Sequence, residues 1–172
     1  MKTLSVLIFI ATALSCSLAS AETLKEGVNN VIIRSGDGLV GYQDIIAGKT
    51  PTEIDITAKL YLPNKCEGKK YPAVIIQHGS GSPNYEFYKN TALALNRRGI
   101  VALVPNSFSA RGISSTGKDQ SQLSKATRIY DSFSAFRYLQ SLSCVDAKRV
   151  GITGYSFGGI ISIDSVETAL AE

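Results

Sequence analysis

Between Val150 and Ile161 the chain reads VGITGYSFGGII, a short apolar run that gives way to Gly154, Ser156, Gly158 and Gly159 before a new apolar pattern begins. A strand has to end there, a tight turn has to present one serine, and a helix has to start, all within a few residues. Few architectures permit this. Glycines two places either side of a serine at such a junction are needed because a Cβ at either position would collide with the neighbouring strand or helix, and the serine itself takes a strained backbone conformation. The pattern predicts Ser156 as a nucleophile, with Gly154 and Gly158 as the spacing glycines. It also directs the Phe157 backbone N–H, at the positive end of a helix, toward a developing oxyanion. The alternative is a plain glycine turn.

The upstream segments share this grammar. AVIIQ (73–77) and IVALV (100–104) are short continuous apolar runs like VGIT (150–153), the signature of strands buried on both faces. Between them Tyr85, Tyr88, Ala92 and Leu95 recur at helical spacing, closed by Gly99, and Ala126, Ile129, Phe133, Phe136 and Leu139 do the same over a longer helix. A third helical pattern runs from Ile160 toward Leu170. Alternating strands and helices predict an α/β class, a mostly parallel sheet with flanking helices. Ahead of it, residues 28–38 and 54–64 carry alternating β-branched residues bounded by Gly, Asn or Pro, which predicts an antiparallel hairpin. The stretch 39–53 between those strands reads as a loop. The polar loop 106–122 follows a strand's carboxyl end, the side on which ligands bind in open parallel sheets. A substrate-lining role and a plain solvated connection are equally compatible with it.

A serine attacks an ester or amide only when a base takes its proton, and the sequence holds one histidine, His78. It lies in QHGSGS (77–82), which closes the strand AVIIQ. A glycine-rich turn there presents the Ser80 backbone N–H as a second oxyanion donor, with His78 and Gly79 shaping the loop rather than His78 acting as general base. Asp164 and Glu167 fall on the helix that runs away from Ser156 and read as surface residues. Arg128 and Asp131 lie one turn apart and are expected to form a structural pair. The glycine spacing fits neither a dinucleotide fingerprint nor a phosphate loop, and neither a metal nor a cofactor is expected.

Residues 1–21 read as a secretory signal peptide, with Lys2, an apolar run and the small residues Ala19, Ser20 and Ala21, cleaved after Ala21. The run is shorter than the roughly 20 residues of a bilayer span, so no stable membrane span is expected. A membrane anchor and lipid attachment at Cys16 are the alternatives. The chain is expected to be secreted or periplasmic, with residues 22–172 as one domain, and its 44% hydrophobic and 19% charged composition suits a globular fold. The formal net charge of +4 falls by one when Lys2 is removed. The basic residues form no run and do not interleave with aromatics, so nucleic acid is not an expected partner. Of the three cysteines, Cys66 and Cys144 remain after cleavage. In an exported protein, two thiols at a spacing that fits no zinc pattern favour a disulfide.

AVIIQHGSG, VALVPNSFSARG, RIYDSFSAFRYLQSL and KRVGITGYSFGG together resemble the dienelactone hydrolase family of the α/β-hydrolase fold, over about residues 71–160. The resemblance implies an acyl-enzyme mechanism on a small-molecule carboxylic ester or lactone. Serine at the nucleophile position is more like the family's esterase-like relatives than its cysteine enzymes. The family's order places an aspartate and then a histidine after the nucleophile, beyond residue 172, so the chain is expected to be the N-terminal part of the fold, weak or inactive by itself. A catalytically dead binding module is the competing reading. The resemblance also makes the strands after Cys66 and Cys144 parallel neighbours, which sets both thiols at the amino edge of the sheet, where a bridge is expected if the Cα atoms approach closely enough.

Overall fold

The computed structural model describes residues 24–39, 41–63 and 68–171. The leader with Cys16, and Cys66, lie outside the described residues. Strand β1 (Gly27–Asp37) pairs antiparallel with β2 (Thr52–Leu62) along its whole length, Gly27 opposite Leu62 and Asp37 opposite Thr52. Their period-two alternation buries Val31, Ile33, Ile56, Ala58 and Leu60 on one face. β2 then pairs antiparallel with β4 (Val101–Pro105), while β3 (Tyr71–Gln77) lies in parallel between β4 and β5 (Val145–Gly154). The mixed sheet has the order β1-β2-β4-β3-β5.

Among the described residues four α-helices accompany it: α1 (Tyr42–Ile46), α2 (Glu86–Asn96), α3 (Lys125–Ser141) and α4 (Phe157–Ala171). Ala73 and Ile75 of β3, with Val101 and Leu103 of β4, pack on one face against Ala135 and Leu139 of α3. Ile76, Ala102 and Val104 pack on the opposite face against Tyr88 and Ala92 of α2. Continuous apolar strands are therefore needed because both faces are covered. Ser124 caps α3, its hydroxyl accepting the Thr127 N–H at 3.1 Å. Gly99, at φ +74°, closes the turn after α2 in a conformation that favours glycine.

The α/β class and the hairpin stand, with three differences in detail. The stretch read as a loop contains α1, a helix of five residues, too short to display a helical period. β5 begins at Val145, before the apolar run, because the exposed Ala147, Lys148 and Arg149 continue the strand without a hydrophobic signal. The expected ion pair between Arg128 and Asp131 is replaced. Asp131 is instead gripped by Arg111, Nη1 to Oδ2 and Nη2 to Oδ1 both at 3.0 Å. Cys144 is buried just before β5, and its carbonyl accepts the Tyr71 N–H at 2.7 Å. No helix of the described residues is long and apolar enough to cross a membrane.

Candidate active site

β5 ends at Gly154 and α4 begins at Phe157, leaving only Tyr155 and Ser156 to turn the chain. Ser156 has φ +55°, the one non-glycine residue with positive φ among the described residues. Its neighbours explain how that strain is held. A Cβ on Gly154 would stand 2.2 Å from the Gly158 carbonyl oxygen, and one on Gly158 would stand 2.2 Å from the Gln77 carbonyl oxygen. The elbow is thus pressed against both its own helix and the end of β3. Ser156 is exposed. The N–H groups of Gly158 and Gly159 donate to the carbonyls of Tyr155 and Ser156, at 3.0 and 2.9 Å. The Phe157 N–H, first in its helix, has no intrahelical acceptor.

The parallel register of β3 and β5 sets Gln77 beside Gly154, so the loop after β3 faces the elbow. A Cβ on Gly79 would lie 3.1 Å from the Tyr155 carbonyl oxygen and 3.4 Å from the Ser156 Cβ. The Gly79 N–H donates to the Tyr88 hydroxyl at 2.8 Å. Ser80 is held from the other side by the polar loop after β4. Its carbonyl accepts the Thr116 N–H at 2.8 Å and the Ser115 hydroxyl at 2.9 Å, and its hydroxyl accepts from the Gln120 amide at 2.6 Å. That loop therefore braces the β3 loop.

His78 is wholly buried. Its Nδ1 lies 2.8 Å from the Gly79 carbonyl oxygen, which can only accept, so Nδ1 carries the proton. Nε2 accepts the Ser107 N–H at 3.2 Å, and the ring meets Phe108 edge-on at 4.4 Å. Burial, then the Arg128 charge, push its pKa down to about 3 against the opposing Gly79 bond. A neutral imidazole with both nitrogens engaged joins the β3 and β4 loops and has no lone pair for the Ser156 proton. Arg128, also buried, reaches from α3, donates Nη2 to the His78 carbonyl and lies between the rings of Phe108 (5.6 Å) and Phe157 (5.2 Å). Arg111 donates to the carbonyls of Ser107 (2.6 Å) and Gly36 (2.9 Å) as well as to Asp131.

The structure thus brings Ser156, Phe157, Gly154, Gly158, His78, Gly79 and Ser80 to one place, at the carboxyl ends of β3 and β5. Asp164 lies on α4 and pairs with Lys125 at 2.9 Å, and Glu167 is exposed. Arg111 and the Tyr88 hydroxyl were not foreseen, because their partners are distant in sequence and no spacing rule links them. Among the described residues no group of His, Cys, Asp or Glu is assembled to hold a metal ion. Chemically, the site offers a hydroxyl on a strained turn, the positive end of a helix and a neighbouring loop of constrained backbone.

Residues 56–171 match the profile of the dienelactone hydrolase family. No curated protein matches the sequence. Among solved structures, an α/β-hydrolase from Penicillium sp. sh18 superposes with a TM-score of 0.59 at 17% identity, over 80% of this chain and 40% of its own. A cold-adapted esterase from an Arctic intertidal metagenomic library gives a TM-score of 0.58 at 17% identity, over 86% and 59%. A dienelactone hydrolase-like promiscuous phosphotriesterase from metagenomic libraries gives 0.54 at 14% identity, over 84% and 56%. At these identities the likeness is one of fold, and the chain spans between 40 and 59% of the length of these proteins.

Proposed function

The chain belongs to the dienelactone hydrolase family, and from that premise we propose that it is an exported serine hydrolase, acting on carboxylic esters or lactones through an acyl-enzyme on Ser156. The observation that carries this reading is the positive φ of Ser156, a strain that an L-residue keeps only where the surrounding structure holds it. In the proposed reaction the Ser156 hydroxyl oxygen bonds to the acyl carbon and its proton passes to a base. The N–H groups of Phe157 and Ser80 receive the oxyanion, the ester C–O bond breaks with that proton passed to the departing alkoxide so that the alcohol leaves, and water then cleaves the acyl–Ser156 bond to give the acid and restore the hydroxyl. His78, the only histidine, shapes the oxyanion side. Among the described residues His78 is engaged at both ring nitrogens and supplies no general base, and without one turnover is expected to lie roughly 10⁴ to 10⁶-fold below that of a complete triad enzyme.

Labelling with a fluorophosphonate probe tests the assignment. Slow labelling that disappears in Ser156→Ala supports it, whereas an unlabelled parent chain supports the binding-module reading. We further propose export, with the mature chain starting at Glu22, and a bridge between Cys66 and Cys144. The bridge is supported by the bond from Tyr71, shortly after Cys66, to the Cys144 carbonyl. Mass spectrometry of exported protein without reductant is expected to show the mass of a chain cut after Ala21 and lacking two hydrogens. Two free thiols would overturn the bridge, and an intact leader would overturn the cleavage.

A further inference from the structure

Four buried side-chain atoms lack a hydrogen-bond partner among the described residues: Gln77 Oε1, Ser107 Oγ, and Nε and Nη1 of Arg128. All belong to residues that touch or adjoin His78. Gln77 precedes it, Ser107 donates its N–H to the ring, and Arg128 donates to its carbonyl. Buried polar groups are rarely left unpaired, and a concentration of them calls for an explanation other than stability. Arg128 is the extreme case. It is 1% exposed and makes no hydrogen bond to a carboxylate, since the nearby Asp131 is engaged by Arg111 and by the Ser35 hydroxyl at 2.5 Å. A well-packed apolar side chain of similar volume generally serves stability at least as well as a buried cation. What an apolar side chain cannot supply is a planar guanidinium that bonds a carbonyl at its rim while lying between two aromatic faces.

Those three contacts have one geometrical result. The carbonyl belongs to the loop that carries Gly79 and Ser80, Phe108 belongs to the loop after β4, and Phe157 is the first residue of α4, next to the nucleophile. We propose that Arg128 is a positioning residue that clamps the β3 loop to the first turn of α4 and so fixes the separation of the Ser80 and Phe157 N–H groups. This rests on the acyl-enzyme reading for its consequence, but the clamp itself is a statement about two pieces of backbone. Arg128 does not touch the reacting atoms. It acts through His78 on one side and Phe157 on the other.

Two measurements on the whole chain separate these levels. Phosphonylation of Ser156 by a fluorophosphonate, taken over a range of probe concentrations, splits probe affinity from the maximal rate. A misplacement of about 1 Å at a reacting centre costs on the order of 100-fold. Arg128→Met is therefore expected to lower the maximal rate about 100-fold with little change in probe affinity. Arg128→Lys, which keeps the charge and one donor but loses the plane between the rings, is expected to recover only part of the loss, to about tenfold below the parent. Hydrogen exchange at the Gly79 and Gly158 amides, each hydrogen-bonded on its own side of the clamp, is expected to accelerate at both sites together in Arg128→Met and less in Arg128→Lys.

An unchanged maximal rate in Arg128→Met, or a lysine variant no better than methionine, overturns the positioning role. Exchange that stays slow on either side overturns the clamp. If Arg128→Met does not fold, Arg128→Lys decides alone, and parental rate and exchange in it overturn the proposal. A parent chain that never labels overturns the hydrolase reading, while the exchange measurement still decides the clamp.

Discussion

Ser156 holds a backbone conformation that costs on the order of 1–3 kcal/mol, and the two glycines flanking it sit where any side chain would overlap a carbonyl. The serine and its glycines were legible in the sequence because one tight junction admits so few residue types. His78 was legible only in part. Its place in a glycine-rich loop marked it as a shaping residue, but its two ring partners, Gly79 and Ser107, come from different loops. The depressed pKa of about 3 gives a prediction. Between the unfolded value near 6.5 and pH 3 the unfolded chain binds a proton that the folded chain refuses, so stability is full above about pH 6.5 and falls as pH drops, by about 1.4 kcal/mol per unit. Urea denaturation between about pH 6.5 and 5, above the range where carboxylates dominate, is expected to show this slope. It is expected to flatten by one proton in His78→Gln, and an equal slope in both chains would refute it.

At the scale of elements, α3 presents Arg128 and Asp131 one turn apart, and each holds a different loop. The spacing suggested that they pair with one another. Burial decides otherwise: Asp131 is fully enclosed and meets the guanidinium of Arg111 in a two-point contact, while the Arg111 side chain is only 4% exposed. That bidentate contact ties the loop after β4 to α3, and through the Gly36 carbonyl to β1. No sequence pattern links Arg111 to Asp131, because a polar loop whose path is set by tertiary contacts lies between Arg111 and the start of α3 at Lys125. Removing Asp131 leaves the buried Arg111 guanidinium with only the partly exposed Asp37, 3.3 Å from its Nε, as a carboxylate partner, and a buried charge stripped of its main partner is strongly destabilising. Asp131→Asn is expected to destabilise the chain by roughly 3–5 kcal/mol, read as a shift in the denaturation midpoint at constant slope. Replacing both residues with apolar ones is expected to cost less than the single change, and a larger loss in the double variant would contradict this account.

For the whole molecule, the layered arrangement followed from the apolar runs and the helical periods, because strands covered on both faces cannot hide their composition. β1 and β2 were readable for the complementary reason, their alternation. Sheet order was not readable, since nothing local says that β4 separates β2 from β3. Among the described residues β5 pairs on one side only, and α4 exposes Ile160, Ile163 and Val166. A groove of about 730 Å³ bordered by Ile152, Phe133, Phe136 and Val166 adjoins them. An unpaired strand beside an apolar helix face promotes association. The chain is expected to show concentration-dependent self-association in sedimentation equilibrium, reduced in Ile163→Lys. A monomer at every concentration, or association unaffected by that substitution, would count against it.

The register that sets Gln77 beside Gly154 also has a kinetic meaning. β1 and β2 are joined by residues 38–51, whereas β3 meets β5 only after the much longer stretch 78–144 has been ordered, an entropic cost that defers such contacts. The loop facing Ser156 is therefore expected to dock late in folding.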